Sequence, residues 1–362
     1  MSTPETAPAP LRLGTRGSAL ATTQSGLVAR RLEELLGRPV ELVRIRTEGD
    51  VKTGSLASLG GTGVFVTALR EALAGGRCDV AVHSLKDLPT AQPAELTIAT
   101  PEREDPRDAL CARDGLTLDT LPRGARVGTG SPRRAALVQA ARPDVELVDI
   151  RGNVETRLAR ALGPDADLDA VVLALAGLTR LGRTEVVTQA LDPAVVAPAP
   201  GQGALAVEAR TADLAPGTPL ADAFAALDHR PTRLAVLAER AVLARLEAGC
   251  AAPVGAHARV EAGELQLTAV VARVDGTEQL THSASAVLAA DDAPLDPAAQ
   301  DDAATALGVR VAEALLADGA ARLAPLVGGT VEPRRGEADA VTPRSDVEPL
   351  HTPTGTDDPE GA

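Results

Sequence analysis

The sequence predicts an α/β fold: two α/β domains of one design, followed by a small α+β domain. Three observations predict it. Strand-like and helix-like segments alternate as βαβαβ over the first ninety residues. The same order of units then recurs: LRLGTRGSALA (11–21) resembles ARVGTGSPRRA (125–135), and DVAVHSLKDL (79–88) resembles DAVVLALAGL (169–178). After residue 226 the pattern changes to one helix, three alternating strands and a last helix.

In order, LRLGT reads as a buried strand and SALATTQSGLVARRLEELLG as a helix. VELVRIRT follows as a strand, FVTALREALAGG as a helix and CDVAVHSL as a strand. Parallel or mixed pairing with right-handed crossovers is expected. PAPGQGALAVEAR (198–210) places Pro and Gly hinges before an apolar strand that could cross back into the first domain. RPTRLAVLAERAVLARLEAG reads as an amphipathic helix with Pro231 in its first turn and Gly249 at its end. PVGAHARV, LQLTAVVARV and QLTHSASAVL alternate as antiparallel strands with a DG turn at 275–276, and DDAATALGVRVAEALLADG closes the domain as a helix. The expected domains are 10–102 plus 204–222, 105–199, and 226–330. Residues 1–9 and 331–362, rich in Pro, Gly and acids, are expected to be disordered tails.

Composition narrows the function. Hydrophobic residues make up 44%, with two Phe and no Tyr or Trp, so the cores must be Leu, Val and Ala. A net charge of −14 argues against nonspecific nucleic-acid binding. No apolar run is long enough for a bilayer, and MSTPETAPAP lacks the regions of a signal peptide. Three scattered Cys (Cys78, Cys111, Cys250) fit a reducing compartment, so a cytoplasmic protein is expected. No metal-ligand spacing, Walker loop or G-x-S-x-G occurs, and no metal is expected. Of 36 basic residues only Lys52 and Lys86 are lysine.

The chemistry-bearing stretches sit at strand ends. GTRGS and GTGSPRR lie at strand-to-helix junctions, where free N–H groups and the helix dipole favour anions. Thr15, Ser18, Thr129 and Ser131 supply hydroxyls there, which could equally be helix caps. Arg16, Arg133 and Arg134 add forked cationic donors. The adjacent Arg133–Arg134 pair opposes the macrodipole at a helix start and so suggests an anionic partner. Arg151 and Arg157 bracket RGNVETR, with Asn153 as a cap, and Arg180 follows another strand. Each could be a surface arginine, but together they suggest a cleft that reads many negative charges. HSLKDLP sets Lys86 beside Asp87. A carboxylate among cations stays ionised and could stabilise a developing cation; a surface Lys and a turn Asp are the alternative. LGGTGVF (59–65), with Phe65, reads as a mobile Gly-rich flap. Cys250, in LEAGCAAPVG, is either an inert buried thiol or a reactive thiolate.

Taken together, LGTRGSALA, FVTALREAL, DVAVHSLKDLP, REDPRDAL, VGTGSPRR, IRGNVETRL, LALAGLTRLG, APGQGALAVE and LEAGCAAPVG resemble the hydroxymethylbilane synthase (porphobilinogen deaminase) family, from about Leu11 to Val327. The resemblance implies two α/β domains like those of solute-binding proteins plus an α+β domain. It implies a transferase of tetrapyrrole and heme biosynthesis. Such an enzyme condenses four porphobilinogen units, with loss of ammonia, onto a dipyrromethane cofactor, then releases hydroxymethylbilane by hydrolysis. Cys250 falls on the cysteine that carries this cofactor through a thioether. Asp87, with Lys86, falls on the catalytic positions. Lys86, Arg16, Ser18, Ser84, Thr129, Ser131, Arg133, Arg134, Arg151, Arg157 and Arg180 fall on positions that hold cofactor or substrate carboxylates. Phe65 falls on a loop aromatic thought to lie over a pyrrole ring, and Gln202 on a hinge residue near the cleft. The sequence departs from many members at Ser58 and Thr62, where Lys is common, and at Glu48. A monomer without nucleic-acid or membrane partners is implied, its product passing to uroporphyrinogen-III synthase. The reading from another class is a two-domain binding protein for an anionic metabolite.

Overall fold

The computed structural model describes residues 9–45, 63–249, 252–290, 293–294 and 296–326. Apart from Ala9, the expected tails lie outside them, as do Cys250 and residues 46–62 with Glu48, Ser58 and Thr62.

The first sheet is built from β1 (Leu11–Thr15), β2 (Val40–Arg44), β3 (Val80–Ser84) and β4 (Leu96–Ala99), with α1 (Ala19–Leu36) and α2 (Gly63–Ala74) as crossovers. α1 begins where Ser18 Oγ accepts from the Ala21 N–H at 3.2 Å. It ends at Gly37, whose φ of 62° is the left-handed conformation glycine tolerates. The second sheet is built from β5 (Asp108–Ala112), β6 (Arg126–Thr129), β7 (Glu146–Asp149), β8 (Ala170–Ala174) and β9 (Gln189–Ala190), with α3 (Pro132–Ala141), α4 (Val154–Leu162) and α5 (Leu175–Arg180). β10 (Leu205–Arg210) then returns to the first sheet, where it pairs antiparallel with β3 and β4.

The strand orders are β2-β1-β3-β10-β4 and β7-β6-β8-β5-β9. They match position by position: three parallel strands, then an antiparallel strand delivered by a crossing, then an edge strand. The repeated Gly-Thr unit has a packing reason. A Cβ at Gly14 would lie 2.8 Å from Cys78 Sγ, and one at Gly128 would lie 2.6 Å from Leu168 Cδ1. In both copies glycine lets the strand approach the residue leading into its neighbour.

The third region comprises α7 (Arg230–Arg245), which follows α6 (Pro219–Leu227), then β11 (Val254–Glu261), β12 (Glu264–Ala272), β13 (Gln279–Val287) and α8 (Pro297–Ala317). The three strands form one antiparallel sheet, and Leu234, Val242, Leu267, Val271, Leu307 and Leu315 share its core. Two boundaries differ from expectation. α7 ends at Arg245, four residues before Gly249, because Glu247 turns the chain with φ 49°. α2 begins at Gly63, two residues before its expected start at Phe65, so the end of the expected Gly-rich flap, Gly63 to Phe65, lies on a helix.

Val236 of α7 packs with Leu85, Leu88, Ala204 and Ala206, which fixes the third region against the first sheet. Leu85 is 2% exposed. Its burial contributes about 1.5–3 kcal/mol and anchors the turn beyond β3. Beside that turn, Glu208 of β10 is fully buried. It accepts from Arg70 of α2 at 2.7 and 3.1 Å and lies 3.1 Å from His83 Nε2. Burial alone would raise this carboxyl, but its hydrogen bonds to His83 and Arg70 outweigh burial and hold it at about 2. A depressed carboxyl adds stability above its unfolded pKa of about 4.3 and loses it as pH falls towards the folded value. Glu208→Gln is therefore expected to be less stable at neutral pH and to lose less stability between about pH 4 and pH 2. Acid titration monitored by circular dichroism checks this; an unchanged acid limb would refute it.

Candidate active site

β3 runs directly into a single 3-10 turn, Leu85–Asp87, which carries the Lys86–Asp87 pair. Three contacts hold this turn. The Leu85 N–H donates to the Ala204 carbonyl at 3.0 Å, so the residue leading into β10 fixes its start. The Arg240 guanidinium, on α7, donates to the carbonyls of Leu85 (3.4 Å), Leu88 (3.1 Å) and Pro89, so the third region fixes its end. Lys86 Nζ donates to Gln202 Oε1 at 3.1 Å. Asp87 is half-buried and, among the described residues, makes no hydrogen bond or ion pair.

Gln202 is fully buried at the centre of the return crossing. Gly201 and Gly203 flank it with φ of 77° and 86°. A Cβ at Gly203 would lie 2.4 Å from the Glu104 carbonyl, so the two crossings touch only because glycine stands there. The Gln202 Nε2 group donates to Pro106 O and to Asp108 Oδ1, both at 2.8 Å. Its Oε1 accepts from Lys86 and, at 3.3 Å, from Arg134.

Arg133 and Arg134 start α3, where Ser131 caps the helix by accepting from the Arg134 N–H. The anion that this arginine pair asks for lies first of all inside the chain. Arg133 Nη1 sits 2.8 Å from Asp108 Oδ2, and Arg134 Nε and Nη2 sit 2.9 and 2.8 Å from Asp108 Oδ1. Arg133 also donates to the Ala197 carbonyl, and Arg134 to that of Val172 at 3.2 Å. Burial works against ionising Asp108, but the two guanidinium charges outweigh it and hold the carboxyl far below its usual range. One carboxylate against two guanidiniums leaves the cluster net positive.

Other expected site residues take varied positions. Thr129 accepts from the Ser131 N–H at 3.3 Å, and Thr15 accepts from Ser25 Oγ at 2.7 Å, so both hydroxyls serve the fold. Ser84 exchanges hydrogen bonds with the Gln24 amide at 3.2 and 3.3 Å. Arg16 is half-buried at the end of β1, next to the Ser18 cap. Arg151 is exposed and pairs with Asp149 at 3.0 Å. Arg157 follows the Asn153 cap of α4 and donates to the Gly152 carbonyl at 2.8 Å. Arg180 ends α5 and donates to the Gly203 carbonyl, while its buried Nε has no hydrogen-bond partner among the described residues.

The fold thus brings Lys86, Gln202, Arg133 and Arg134 into direct or shared contact, with Arg157 close enough to Arg134 and to Arg151 to be repelled by both. Burial, then the charges of Arg134 and Arg151, lower the Arg157 guanidinium from its ordinary value; burial also lowers Arg180. Lys86 keeps access to solvent yet is hemmed in by protein. Desolvation, then the Arg134 charge, pull it down to about 8, while Asp87 and Asp108 pull the other way. Such crowding of cations is unfavourable until an anion is present.

Sequence reasoning misses two residues that build the site. Asp108 sits in REDPRDAL and becomes a partner only when β5 meets α3. Glu239 of α7 is fully buried and accepts from Arg103 Nη1 and Nη2 (2.7 and 2.9 Å), the Gly201 N–H (2.7 Å) and the Ala258 N–H (2.8 Å). The available signal was a charge on the buried stripe Ala235, Ala238, Val242 of that helix.

Two matched α/β units, an α+β region, and cations gathered where the crossings meet define a class: a protein built to hold a polyanionic organic molecule. Residues 11–216 match the family model of the porphobilinogen deaminase dipyrromethane cofactor binding domain, and residues 233–317 that of the porphobilinogen deaminase C-terminal domain. The chain belongs to the porphobilinogen deaminase family, whose members are transferases. It is 56% identical to porphobilinogen deaminase of Micrococcus luteus, over 89% of this chain and 95% of that one. It is 55% identical to that of Leifsonia xyli, over 88% and 95%. Among solved structures, immunogenic lipoprotein A from Vibrio vulnificus overlaps 60% of the chain and 95% of its own, at TM-score 0.36 and 15% identity, too loose a match to argue from.

Proposed function

We propose that this chain condenses four porphobilinogen units head to tail onto a dipyrromethane carried by Cys250, with loss of ammonia, and releases hydroxymethylbilane by hydrolysis. The observation that carries this reading is the Asp87 carboxylate, with no hydrogen bond or ion pair among the described residues, next to Lys86, whose own surroundings include the arginines of α3.

The donor set fits the cofactor. Each pyrrole ring bears an acetate and a propionate, and the residues offered are Arg16, Arg151, Arg157, Arg180, Lys86 and the net-positive Arg133–Arg134–Asp108 cluster. The buried Nε of Arg180 has no hydrogen-bond partner among the described residues and is free to donate to a bound carboxylate. Ser18, Ser84, Thr129 and Ser131 are engaged within the fold and contribute as shape, or by a second hydrogen bond. When bound, dipyrromethane supplies a fixed primer with a free nucleophilic ring carbon. Phe65 and Cys250 keep the roles the family resemblance assigns them.

The residues of the chain do the rest. Losing ammonia leaves porphobilinogen electron-poor, and bond formation puts passing positive charge on pyrrole nitrogen. Asp87 makes no hydrogen bond or ion pair among the described residues, so its carboxylate, beside Lys86, is available to stabilise that cation. Lys86, held by Gln202, binds a substrate carboxylate and, with a pKa of about 8, can also exchange a proton near neutrality. Arginines hold the side-chain carboxylates by bidentate contacts that fix ring orientation.

The domain limits we assign are 10–102 with 204–222, 105–199, and 226–330; the strand membership of the two five-stranded sheets and the three-stranded sheet supports them. We also assign a cytoplasmic monomer whose product passes to uroporphyrinogen-III synthase. The free, buried Cys78 and Cys111 are consistent with a reducing compartment, and no helix among the described residues is long and apolar enough to cross a membrane. The test is turnover: given porphobilinogen, the purified protein should release ammonia and a linear tetrapyrrole. Porphobilinogen left unconsumed would refute the reading.

A further inference from the structure

We propose that Asp108 is a positioning residue for Lys86: acting through Gln202 and Arg134, it fixes where the ammonium sits and offsets the two guanidinium charges beside it. The inference deepens the proposed reading of the same site and rests on it for the importance of Lys86.

The geometry leaves little freedom. Asp108 is fully buried at the first residue of β5 and touches Arg133, Arg134 and Gln202. The Gln202 amide has two acceptors on one side, Asp108 Oδ1 and the Pro106 carbonyl. Turning it over would set Oε1 against both, so the amide is locked with its carbonyl towards Lys86 and Arg134. A carbonyl held there accepts from the charged form of Lys86 and favours it. The charged groups that face Lys86 are Asp87 on its own turn, Arg134 and Arg133 on α3, and Asp108 on β5. Two of these four are arginines that would drive the ammonium out or deprotonate it, were Asp108 not between them. A carboxylate with no route to solvent thereby governs the lysine that meets substrate.

This chain offers a direct probe, because Lys86 and Lys52 are its only lysines. Reductive methylation with carbon-13 formaldehyde labels both, and Lys52→Arg assigns them. The Lys86 midpoint is then read by NMR in the full-length protein as purified. It is read again with Cys250→Ala behind every variant, so unequal cofactor loading cannot mimic the effect. Lys86 should titrate near 8. Asp108→Asn should lower the midpoint by about one pH unit. Gln202→Leu, which leaves Asp108 paired with both arginines but removes the relay, should lower it by a smaller amount. If Asp108→Asn fails to fold, Gln202→Leu decides alone. A purely structural Asp108 would lower the melting temperature and leave the Lys86 midpoint in place, and an unchanged midpoint in the folded variants would overturn the proposal. The reading needs no substrate, so its failure leaves porphobilinogen turnover standing as a separate result.

Discussion

Asp87→Asn should lower the rate of ammonia release from porphobilinogen by about 10²–10³-fold while leaving the fold intact. Both halves follow from one observation: among the described residues, Asp87 makes no hydrogen bond or ion pair. Its charge acts on the fold only through space, on the neighbouring Lys86, so the stability change should stay within about 0.5 kcal/mol. Its turn is held by neighbours instead, through Leu85 in the core and Arg240 on the turn carbonyls. The amide keeps the shape and removes the negative charge that faces the developing cation. A loss in kcat with little change in KM is expected, because that charge matters most once the cation forms. Turnover within about tenfold of wild type would remove Asp87 from the chemistry.

Glu239→Ala should destabilise the protein by about 3–5 kcal/mol, the cost of leaving a buried charge without its partner. Glu239 reaches from α7 to both crossings, through Arg103 in the first and the Gly201 N–H in the second, and to β11 through Ala258. Arg103 in turn donates to the Gln202 carbonyl at 2.7 Å. The substitution therefore strands a guanidinium and two backbone donors at the place where three parts of the chain join. Urea unfolding measures the effect; a loss under about 1 kcal/mol would show that the junction is held by apolar packing alone.

Local features of the fold are legible in the sequence because local chemistry sets them. Ser18 and Asn153 announce helix starts, and Gly37 a helix end. The repeated Gly-Thr unit announces two sheets of one design, although its glycines serve close packing against Cys78 and Leu168. Long-range partners are a different matter. The Arg133–Arg134 pair asks for an anion, but only the paired strands reveal that Asp108 answers first. Ser84 looks like a free donor until its hydroxyl is seen to donate to the Gln24 amide, and Thr129 looks uncommitted until it is seen to accept from the Ser131 N–H. Gly63 and Gly249 mislead in opposite directions: one opens a helix inside a Gly-rich stretch, and the other lies beyond a helix that Glu247 has already ended. The charge on the buried stripe of α7 was visible, but its meaning was not, because Arg103 lies 136 residues away.

The central claim is that this chain builds its product on a primer covalently held by Cys250. Intact mass of the purified protein tests it most directly. The wild-type chain should carry an adduct of two pyrrole units, and Cys250→Ala should carry none. A wild-type mass equal to that of the bare sequence, in protein that still converts porphobilinogen, would contradict the account.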